Sequence, residues 1–297
     1  MHRPSAEGSD VRVDALHPDF GARIEGLDFR RRLDAAPVRA LRAWIDEHSL
    51  LHFPGQSLDD ALQLQLTRAL GEPEANHVTL GQTGRVDYFG TIGNVQADGT
   101  VAGARDRRTI FQTGNEMWHS DSSFRAVPSF VSIMVAYEVP AERAETQFVS
   151  CRAAYARLTA AERAAIDPLV CIHDYVYSRS KVGADMVTSS HAASLPPVRQ
   201  RLVRENPANR RRNYYVGSHA KCIEGWDMAA SRALLDGLLA RATRPENIHT
   251  HRWQPGDLVI WDNRCLLHRG TGYDADRHRR RMRQTRVAGA GSTLDGA

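Results

Sequence analysis

The sequence predicts a fold that is mainly β with helices, in one chain of 297 residues. Strand-like segments occur in separate parts of the chain, at Val131–Tyr137, Leu258–Trp261 and Thr285–Val287. In the first of these, large apolar residues recur at every second position. Helical periodicity occurs in the stretches between the strand-like segments. Because strands and helices do not alternate regularly, we expect a β core with helical insertions rather than a parallel βαβ sheet.

The N-terminal third predicts a short strand followed by two helices. The strand-like start lies around Val11–Val13. Apolar residues at helical spacing predict a helix over Ala36–His52, which ends at Pro54–Gly55. A second helix is predicted from an N-cap at Ser57 to a stop at Gly71.

The middle and C-terminal parts contain two further helix signals. Thr159 and Glu162 have the spacing of a capping box, which predicts a short helix. Apolar residues at helical spacing between Met228 and Leu239 predict a longer helix that ends before Pro245. Between these helices, the β-branched and aromatic residues of Asn213–Val216 favour a strand.

Two stretches, 80–116 and 178–212, lack a clear period. Loops of this length in a compact domain are typical of lids and binding loops. We therefore expect both to be active-site loops of a single domain that spans residues 1–297.

The composition excludes several classes of protein. With 42% hydrophobic and 25% charged residues, the chain is neither a disordered protein nor a coiled coil. No apolar run approaches the roughly 20 residues of a membrane helix, and the polar start of the chain lacks a signal-peptide core. The four cysteines form no CxxC pair, which is typical of reduced thiols. We expect a cytoplasmic protein without a membrane partner.

The positive charge of the chain allows two interpretations. The net charge is +4, and the richest basic run is Arg277–Arg283. Such a run could bind nucleic acid, but it has no interleaved aromatic residues on which bases could stack. We expect no nucleic-acid partner, and the excess of arginine favours a small anionic substrate.

A metal site is predicted by two separate segments. In a strand, His119 and Asp121 would point to the same face, although an isolated pair of this kind is also typical of a hydrogen-bonded surface pair. A second histidine, His268, follows an apolar strand. Two histidines and one carboxylate form the facial triad of non-haem Fe(II) oxygenases. The absence of a cysteine cluster from the sequence argues against structural zinc.

Three sequence motifs carry a resemblance to a known family. They are WHSDSSF at Trp118–Phe124, ETQF at Glu145–Phe148 and WDNRCLLHRGTGYDADRHRRRM at Trp261–Met282. With these motifs the chain resembles the taurine dioxygenase family of Fe(II)/α-ketoglutarate-dependent dioxygenases, and within it the aryloxyalkanoate dioxygenases. The resemblance implies a double-stranded β-helix (a cupin-like jelly roll) with helical insertions, onto which the N-terminal helices pack.

The resemblance also assigns site residues. It implies that His119, Asp121 and His268 hold Fe(II), and that the hydroxyl of Thr146 binds a carboxylate of α-ketoglutarate. O2 is the second co-substrate. Asn263 and Asn115 are candidates for side chains that fix the ligand imidazoles.

The distal carboxylate of α-ketoglutarate is assigned by the resemblance to an arginine after His268. Arg280 is favoured, with Arg279 and Arg281 as alternatives. A guanidinium can bind a carboxylate through two parallel hydrogen bonds. If Arg280 faces inward, strand alternation also turns Met282 inward and the two alternative arginines outward.

The chain departs from the family pattern before Thr146. Two glycines usually precede this segment, and Arg143–Ala144 stands there instead, which puts the local turn in doubt.

Candidate substrate contacts are less sharply defined. Tyr175 and Tyr177 would share a face if they lay on a strand, although a solvated strand edge fits them equally well. The candidates are Asn115, Tyr175, Tyr177, Lys181 and Arg286, with Arg283 as the alternative to Arg286.

The resemblance implies oxidation, in most cases hydroxylation, of a small-molecule substrate with release of succinate and CO2. Desaturation, cyclisation and oxidative decarboxylation use the same cofactor chemistry and remain alternatives. A hypothesis from another functional class is that the chain is a non-catalytic, cupin-like metal-binding protein. We also expect a homo-oligomer.

Overall fold

A computed structural model describes residues 11–31, 33–76, 86–96, 98–183 and 185–295 of the chain. Its helices are α1 (Ala35–His48), α2 (Asp60–Leu70), α3 (Arg107–Gln112), α4 (Cys151–Ala156), α5 (Ala160–Ile166), α6 (Tyr175–Ser180), α7 (Ser189–Ser194) and α8 (Met228–Ala242). Its strands are β1 (Arg12–Ala15), β2 (Ala22–Glu25), β3 (Leu50–Phe53), β4 (Gly90–Ile92), β5 (Ser129–Glu138), β6 (Thr146–Ser150), β7 (Val170–His173), β8 (Val198–Arg201), β9 (Val203–Glu205), β10 (Arg212–Tyr214), β11 (Ala220–Ile223), β12 (His249–His251), β13 (Leu258–Asp262), β14 (Leu266–Gly270) and β15 (Arg281–Ala288).

The strands form one large sheet and three small ones. The large sheet has the order β1-β2-β3-β13-β5-β15-β4, in which β2 and β3 pair in parallel and the other neighbours pair antiparallel. A three-stranded sheet has the order β12-β6-β14, and the remaining sheets are β10-β9 and β11-β7-β8. This sheet-rich architecture with inserted helices confirms the predicted mainly β class with helices.

The large sheet separates two apolar cores. Ile260 on β13 packs in a cluster with Leu41 of α1 and Leu66 of α2, so these helices cover one face of the sheet. The next residue, Trp261, points to the opposite face and packs with Phe148 of β6, as strand alternation requires. The second core therefore lies between the large sheet and β12-β6-β14. The metal-site candidates lie on this side of the molecule.

The N-terminal elements differ in detail from the sequence predictions. The first helix ends at His48 instead of continuing to His52, because Ser49 takes a left-handed φ of 65°. The following apolar residues form β3, which lies between β2 and β13. The second helix is capped by Asp59, whose side chain accepts the Leu62 amide at 2.8 Å; the predicted N-cap, Ser57, is therefore wrong.

The predicted capping box is confirmed. Thr159 Oγ1 accepts the backbone N–H of Glu162 at 3.2 Å, and the Glu162 carboxylate accepts the backbone N–H of Thr159 at 2.8 Å. The predicted helix that ends before Pro245 also forms, as α8, which runs from Met228 to Ala242.

The two stretches predicted to be long loops contain short regular elements. The first contains β4 and α3, although its residues 80–85 and 97 lie outside the described part of the chain. The second contains α7, β8 and β9, with residue 184 not described. Elements of three to six residues are too short to show a period in the sequence. Within the described ranges, no helix combines the length and apolar character needed to cross a bilayer.

Candidate metal centre and its cavity

Two histidines far apart in the sequence are joined by their backbones. The His119 N–H donates to the carbonyl of His268 at 3.0 Å, and the His268 N–H donates to the carbonyl of His119 at 2.8 Å. His268 lies on β14, where it pairs with Phe148 of β6. The two imidazole rings are therefore 4.2 Å apart between centroids.

Asp121 completes a group of three that we call the metal triad. His119 makes a single bridge to β14, and the chain turns at Asp121, where the next residue, Ser122, has a φ of 55°. The two residues therefore lie close together without sharing a regular strand, contrary to the geometry predicted from the sequence. Nε2 of His119 is 3.8 Å from Oδ1 of Asp121, and Nε2 of His268 is 3.7 Å from Oδ2.

The positions of the protons in the metal triad favour the binding of a cation. Nδ1 of His119 lies 2.7 Å from the carbonyl oxygen of Met117. A carbonyl can only accept, so Nδ1 carries the proton and Nε2 has a lone pair. This lone pair faces the Asp121 carboxylate across 3.8 Å, beyond hydrogen-bond distance. Because two electron-rich groups converge there without a proton between them, the donor set fits a divalent ion.

The carboxylate of Asp121 is oriented by neutral donors. Its Oδ2 accepts the Ser132 hydroxyl at 2.6 Å and the Gln284 side-chain amide at 2.8 Å. Asn263 donates in turn to Ser132 Oγ at 2.9 Å. Asn263 was a sequence candidate for such a supporting role, whereas Asn115 contacts an arginine described below. Supporting hydrogen bonds of this kind fix the direction of a ligand oxygen.

The electrostatics prepare the metal triad for metal binding at neutral pH. Burial, with a smaller contribution from His119, lowers the pKa of His268 to about 3 against the opposing effect of Asp121. Burial also lowers the pKa of His119, with a smaller contribution from Arg179. Burial raises the pKa of Asp121, but the charges of His268, His119 and Arg286 and the hydrogen bond from Ser132 outweigh it and hold the pKa below its usual value. Two neutral imidazoles and one carboxylate can therefore bind a metal ion without first losing protons.

The metal triad opens into a cavity of about 620 Å³ that Thr146 and Arg280 also line. Thr146 begins β6, and its Oγ1 accepts the indole N–H of Trp253 at 2.9 Å. The Thr146 hydroxyl proton therefore remains available for an acceptor in the cavity. Arg280 is 8% exposed, its Nε is buried without a hydrogen-bond partner among the described residues, and burial lowers its pKa to about 10. A buried guanidinium of this kind fits an anionic ligand.

The three candidate arginines are separated by their environments. Arg280 and Met282 are both buried, as the predicted alternation requires. Arg279 points to the surface and pairs with Glu138, with its Nε 2.6 Å from the carboxylate. Arg281 lies over the Tyr137 ring at 5.1 Å. Of the three, Arg280 lines the cavity.

The turn before Thr146 forms without the two glycines of the family pattern. Arg143 and Ala144 both take left-handed backbone conformations, with φ of 62° and 60°. The Ala144 N–H donates to the carbonyl of Gly272 at 3.0 Å. Left-handed residues with a Cβ cost roughly 1–2 kcal/mol each. The turn is therefore retained at an energetic cost, and Thr146 still reaches the cavity.

The candidate substrate residues separate into two groups. Asn115 and Tyr175 are close to the cavity: Asn115 lines it, and the buried Tyr175 ring packs on Phe124, another lining residue, at 4.7 Å. Tyr177 and Lys181 are not among the lining residues, and the Lys181 ammonium lies 4.2 Å from the centroid of the Tyr177 ring.

Tyr175 and Tyr177 do not lie on the strand that was considered for them from the sequence. Asp174 accepts the Tyr177 amide at 3.0 Å and caps α6, so the two tyrosines lie on a helix. Residues two apart on a helix point in different directions. The sequence of this segment favours a strand through its β-branched and aromatic residues, and the capping aspartate is the signal for the helix.

The two arginines considered in the last strand both have carboxylate partners. Arg286 lines the cavity, but its Nε donates to Glu74 at 3.0 Å, and both residues are buried. Arg283 also lines the cavity, and its Nε donates to Asp60 at 3.0 Å.

The sequence interpretation missed three residues near the metal triad. Gln284 could have been found, because it lies at an even offset from Arg280, the residue favoured from the sequence. The others, Ser132 and Trp253, come from segments with no chemical motif. Only folding brings them to the site.

Comparison with known proteins identifies the family. Residues 12–286 match the family described as "Taurine catabolism dioxygenase TauD, TfdA family". The chain is 36% identical to the α-ketoglutarate-dependent 2,4-dichlorophenoxyacetate dioxygenase of Cupriavidus pinatubonensis, over 93% of this chain and 97% of that protein. It is 35% identical to the (S)-phenoxypropionate/α-ketoglutarate dioxygenase of Delftia acidovorans, over 89% of this chain and 90% of that protein.

A solved structure agrees with these matches. The crystal structure of AAD-2 in complex with Mn(II) and N-oxalylglycine superposes with a TM-score of 0.88 and 34% identity, over 96% of this chain and 99% of that chain. The chain therefore belongs to the TauD, TfdA family and is a non-haem iron dioxygenase that depends on Fe(II), α-ketoglutarate and O2.

Proposed function

We propose that His119, Asp121 and His268 are the protein ligands of Fe(II). The observation that carries this assignment is the pair of imidazoles facing one carboxylate at 3.7 and 3.8 Å, with the proton of His119 held on the far side of its ring. A 2-His-1-carboxylate set leaves open positions on the metal for other ligands. Bound Fe(II) supplies the redox chemistry that couples decarboxylation of α-ketoglutarate by O2 to oxidation of the substrate.

We propose that Thr146 and Arg280 bind α-ketoglutarate. The Arg280 guanidinium is buried in the cavity wall without a carboxylate partner in the described part of the chain, which supports a role with the distal carboxylate. Trp253 occupies an acceptor site on Thr146 Oγ1, so this hydroxyl can donate its own proton to the co-substrate. Together the two side chains would fix both position and rotation of a flexible dicarboxylate.

We propose that the substrate is a small aryloxyalkanoic acid. Relatives at 35 and 36% identity act on phenoxypropionate and 2,4-dichlorophenoxyacetate. The cavity combines aromatic side chains such as Phe111 and Phe124 with arginines, as an aromatic carboxylic acid requires. Hydroxylation of the carbon beside the ether oxygen would give a hemiacetal that breaks into a phenol and a carbonyl compound.

An anaerobic titration tests the cofactor assignment without turnover. Addition of Fe(II) and α-ketoglutarate to the wild-type protein should produce a metal-to-ligand charge-transfer band. His119→Ala should remove the band. Arg280→Ala should still bind Fe(II) but require more α-ketoglutarate, and unchanged affinity in this variant would move the role to another residue.

Turnover of 2,4-dichlorophenoxyacetate and 2-phenoxypropionate tests the substrate class. We expect succinate and a phenol in equal amounts, detected by chromatography. Succinate with a desaturated or cyclised product instead would assign one of the alternative oxidations. If neither compound increases succinate release over α-ketoglutarate alone, the substrate class is wrong, although the cofactor assignment stands on the titration.

We further propose that residues 1–297 form one domain around a double-stranded β-helix, a jelly roll made by the large sheet and β12-β6-β14. The shared core of Phe148, Trp261 and Met282 between these sheets supports this. The described parts of segments 80–116 and 178–212 would border the active site, since Phe111 and Arg179 line the cavity. We propose a cytoplasmic location. We also propose a homo-oligomer, and light scattering of the purified protein would test the oligomeric state.

A further inference from the structure

Among the residues that the structure describes, five arginines line the cavity beside the metal triad, and they differ in their ionic partners. Two are neutralised within the protein: Arg286 by Glu74 and Arg283 by Asp60. The five are Arg108, Arg179, Arg280, Arg283 and Arg286.

Two of the five are buried and have no carboxylate within 4.0 Å in the described ranges. They are Arg179, which is 7% exposed, and Arg280, which is 8% exposed. Arg108 is partly exposed, so water can solvate its charge. Burial of an unpaired guanidinium is costly unless an anion compensates it. Arg280 is assigned above to α-ketoglutarate, which leaves Arg179 without an assigned anion.

The position of Arg179 is set by neutral acceptors and by a glycine. Its Nη1 donates to the Phe111 carbonyl at 3.2 Å, and its Nη2 donates to Asn115 Oδ1 at 3.2 Å. Its Cζ lies 4.7 Å from the centroid of the Phe111 ring. A Cβ on Gly114 would lie 2.0 Å from Nη1, so the guanidinium occupies space that only a glycine leaves. These contacts orient the side chain, but none neutralises its charge.

We propose that Arg179 binds the anionic group of the substrate. This inference rests on the proposed function and identifies which cation of the cavity recognises the carboxylate. A guanidinium offers five N–H donors, of which two hydrogen bonds to protein acceptors are accounted for here. Phe111, which packs on the guanidinium, also lines the cavity and provides an apolar surface beside the charge. Arg286, the sequence candidate, remains with Glu74, and Asn115 acts as a positioning residue for Arg179.

Binding to the holoenzyme under anaerobic conditions tests the proposal. The protein loaded with Fe(II) and α-ketoglutarate is titrated with 2,4-dichlorophenoxyacetate, its neutral amide, and phenylacetate, an aryl carboxylate without the ether. The readout is the heat of binding and the change in the charge-transfer band. We expect the wild type to prefer the carboxylates over the amide. Arg179→Gln should bind the carboxylates about 30-fold or more weakly, with amide and α-ketoglutarate affinities unchanged.

Two further variants make the result specific. Lys181→Gln removes a positive charge near the end of the same helix but outside the set of lining residues, and it should retain the preference. Gly114→Ala keeps the charge of Arg179 but pushes its guanidinium away from Asn115, so it should reduce the preference. Because Gly114 has no left-handed φ, this variant remains informative even if Arg179→Gln does not fold.

The outcomes separate this inference from the proposed function. If the wild type binds phenylacetate but not the phenoxy compound, the aryloxyalkanoate class fails, and loss of phenylacetate binding in Arg179→Gln still supports Arg179. If Arg179→Gln, or Gly114→Ala in its place, keeps the wild-type preference for carboxylates, Arg179 has a structural role and the inference is overturned. It is equally overturned if the wild type does not distinguish carboxylates from the amide.

Discussion

Two clusters of this protein contain the same chemical groups, two imidazoles and one carboxylate, with the ligand atoms of each cluster within 4.8 Å of one another. The first lines the cavity, and the second is packed beside β3 and β13. The first is the metal triad His119, Asp121 and His268, and the second, which we call the closed trio, is His52, His251 and Asp257.

The clusters differ in where their protons lie. In the closed trio, His52 Nε2 is hydrogen-bonded to Asp257 Oδ1 at 3.0 Å, and His251 Nε2 lies 3.3 Å from Oδ2. Oδ2 also accepts the backbone N–H of Gln254 at 2.8 Å. Both carboxylate oxygens therefore have donors already. In the metal triad, the proton of His119 is held on the far side of its ring by Met117. The same residue types thus form either a metal site or an internal ion pair, depending on the acceptor of the second imidazole nitrogen.

The largest expected difference is in metal affinity. Asp121→Asn removes the anionic ligand and should weaken Mn(II) or Fe(II) binding by more than about 100-fold, the upper cost of losing only a supporting group. The matched variant Asp257→Asn should bind one metal ion per chain with wild-type affinity. Calorimetry under anaerobic conditions measures both. Two metal ions per wild-type chain, with one lost in Asp257→Asn, would make the closed trio a second metal site.

The second expected difference is in stability. Asp257→Ala leaves the buried His52 imidazole and the Gln254 backbone N–H without their acceptor, so the free energy of unfolding should fall by about 2–5 kcal/mol. Asp121→Ala in the metal-free protein leaves the Ser132 hydroxyl and the Gln284 amide without their acceptor, but it also relieves the contact between the carboxylate and the His119 lone pair, so it should cost less. Urea denaturation of the two metal-free variants measures the difference. Equal losses of stability would contradict the proton placement inferred here.

The sequence could identify one cluster and not the other. His119 and Asp121 are two residues apart inside a recognisable motif, and His268 lies in another. The closed trio draws single residues from separate segments, and only the pairing of β3 with β13 places His52 near Asp257. No local pattern records which nitrogen of a histidine carries its proton.

The difference between local sequence patterns and tertiary contacts also explains which fold predictions were confirmed. The alternating residues of β5 and the capping box of α5 are local signals, and they predicted those elements. The strand β3 directly follows a helical pattern, and its three apolar residues satisfied either period. The assignment of Leu50–Phe53 to a strand depends on pairing with β2 and β13, which is a tertiary contact.

The pH dependence of stability provides a third test of the difference between the metal triad and the closed trio. Burial raises the pKa of Asp257, but hydrogen bonds from His251, His52 and Gln254 outweigh it and hold the pKa far below its ordinary value. The unfolded chain therefore binds a proton more readily than the folded one. The contribution of Asp257 to stability is complete above the unfolded pKa of about 3.9 and decreases as the pH falls toward the folded pKa.

We expect the difference in unfolding free energy between the wild type and Asp257→Asn to be constant near neutral pH. Below about pH 4 it should shrink by up to about 1.4 kcal/mol per pH unit. Urea denaturation at several pH values measures this slope. A difference that grows on acidification would mean that the carboxyl is protonated in the folded protein.

The smallest expected effect concerns Trp253, which connects the closed trio to Thr146. Its ring contacts His251 of the closed trio at 4.5 Å, and its indole N–H donates to Thr146 Oγ1 at 2.9 Å. Trp253→Phe keeps an aromatic ring but removes this donor. The Thr146 hydroxyl would then be free to point away from the co-substrate. Since one hydrogen bond contributes about 0.5–1.5 kcal/mol, α-ketoglutarate affinity should fall by roughly 2- to 12-fold.

Metal affinity in the absence of α-ketoglutarate separates this positioning role from a general loss of structure. Trp253→Phe should bind Mn(II) as the wild type does, because no ligand of the metal triad contacts the indole N–H. Trp226→Phe is the matched control, since Trp226 is 45% exposed and should leave both affinities unchanged. If Trp253→Phe weakens metal and co-substrate together, the closed trio supports the whole site mechanically. If it weakens α-ketoglutarate alone, the trio acts on catalysis through a single hydroxyl.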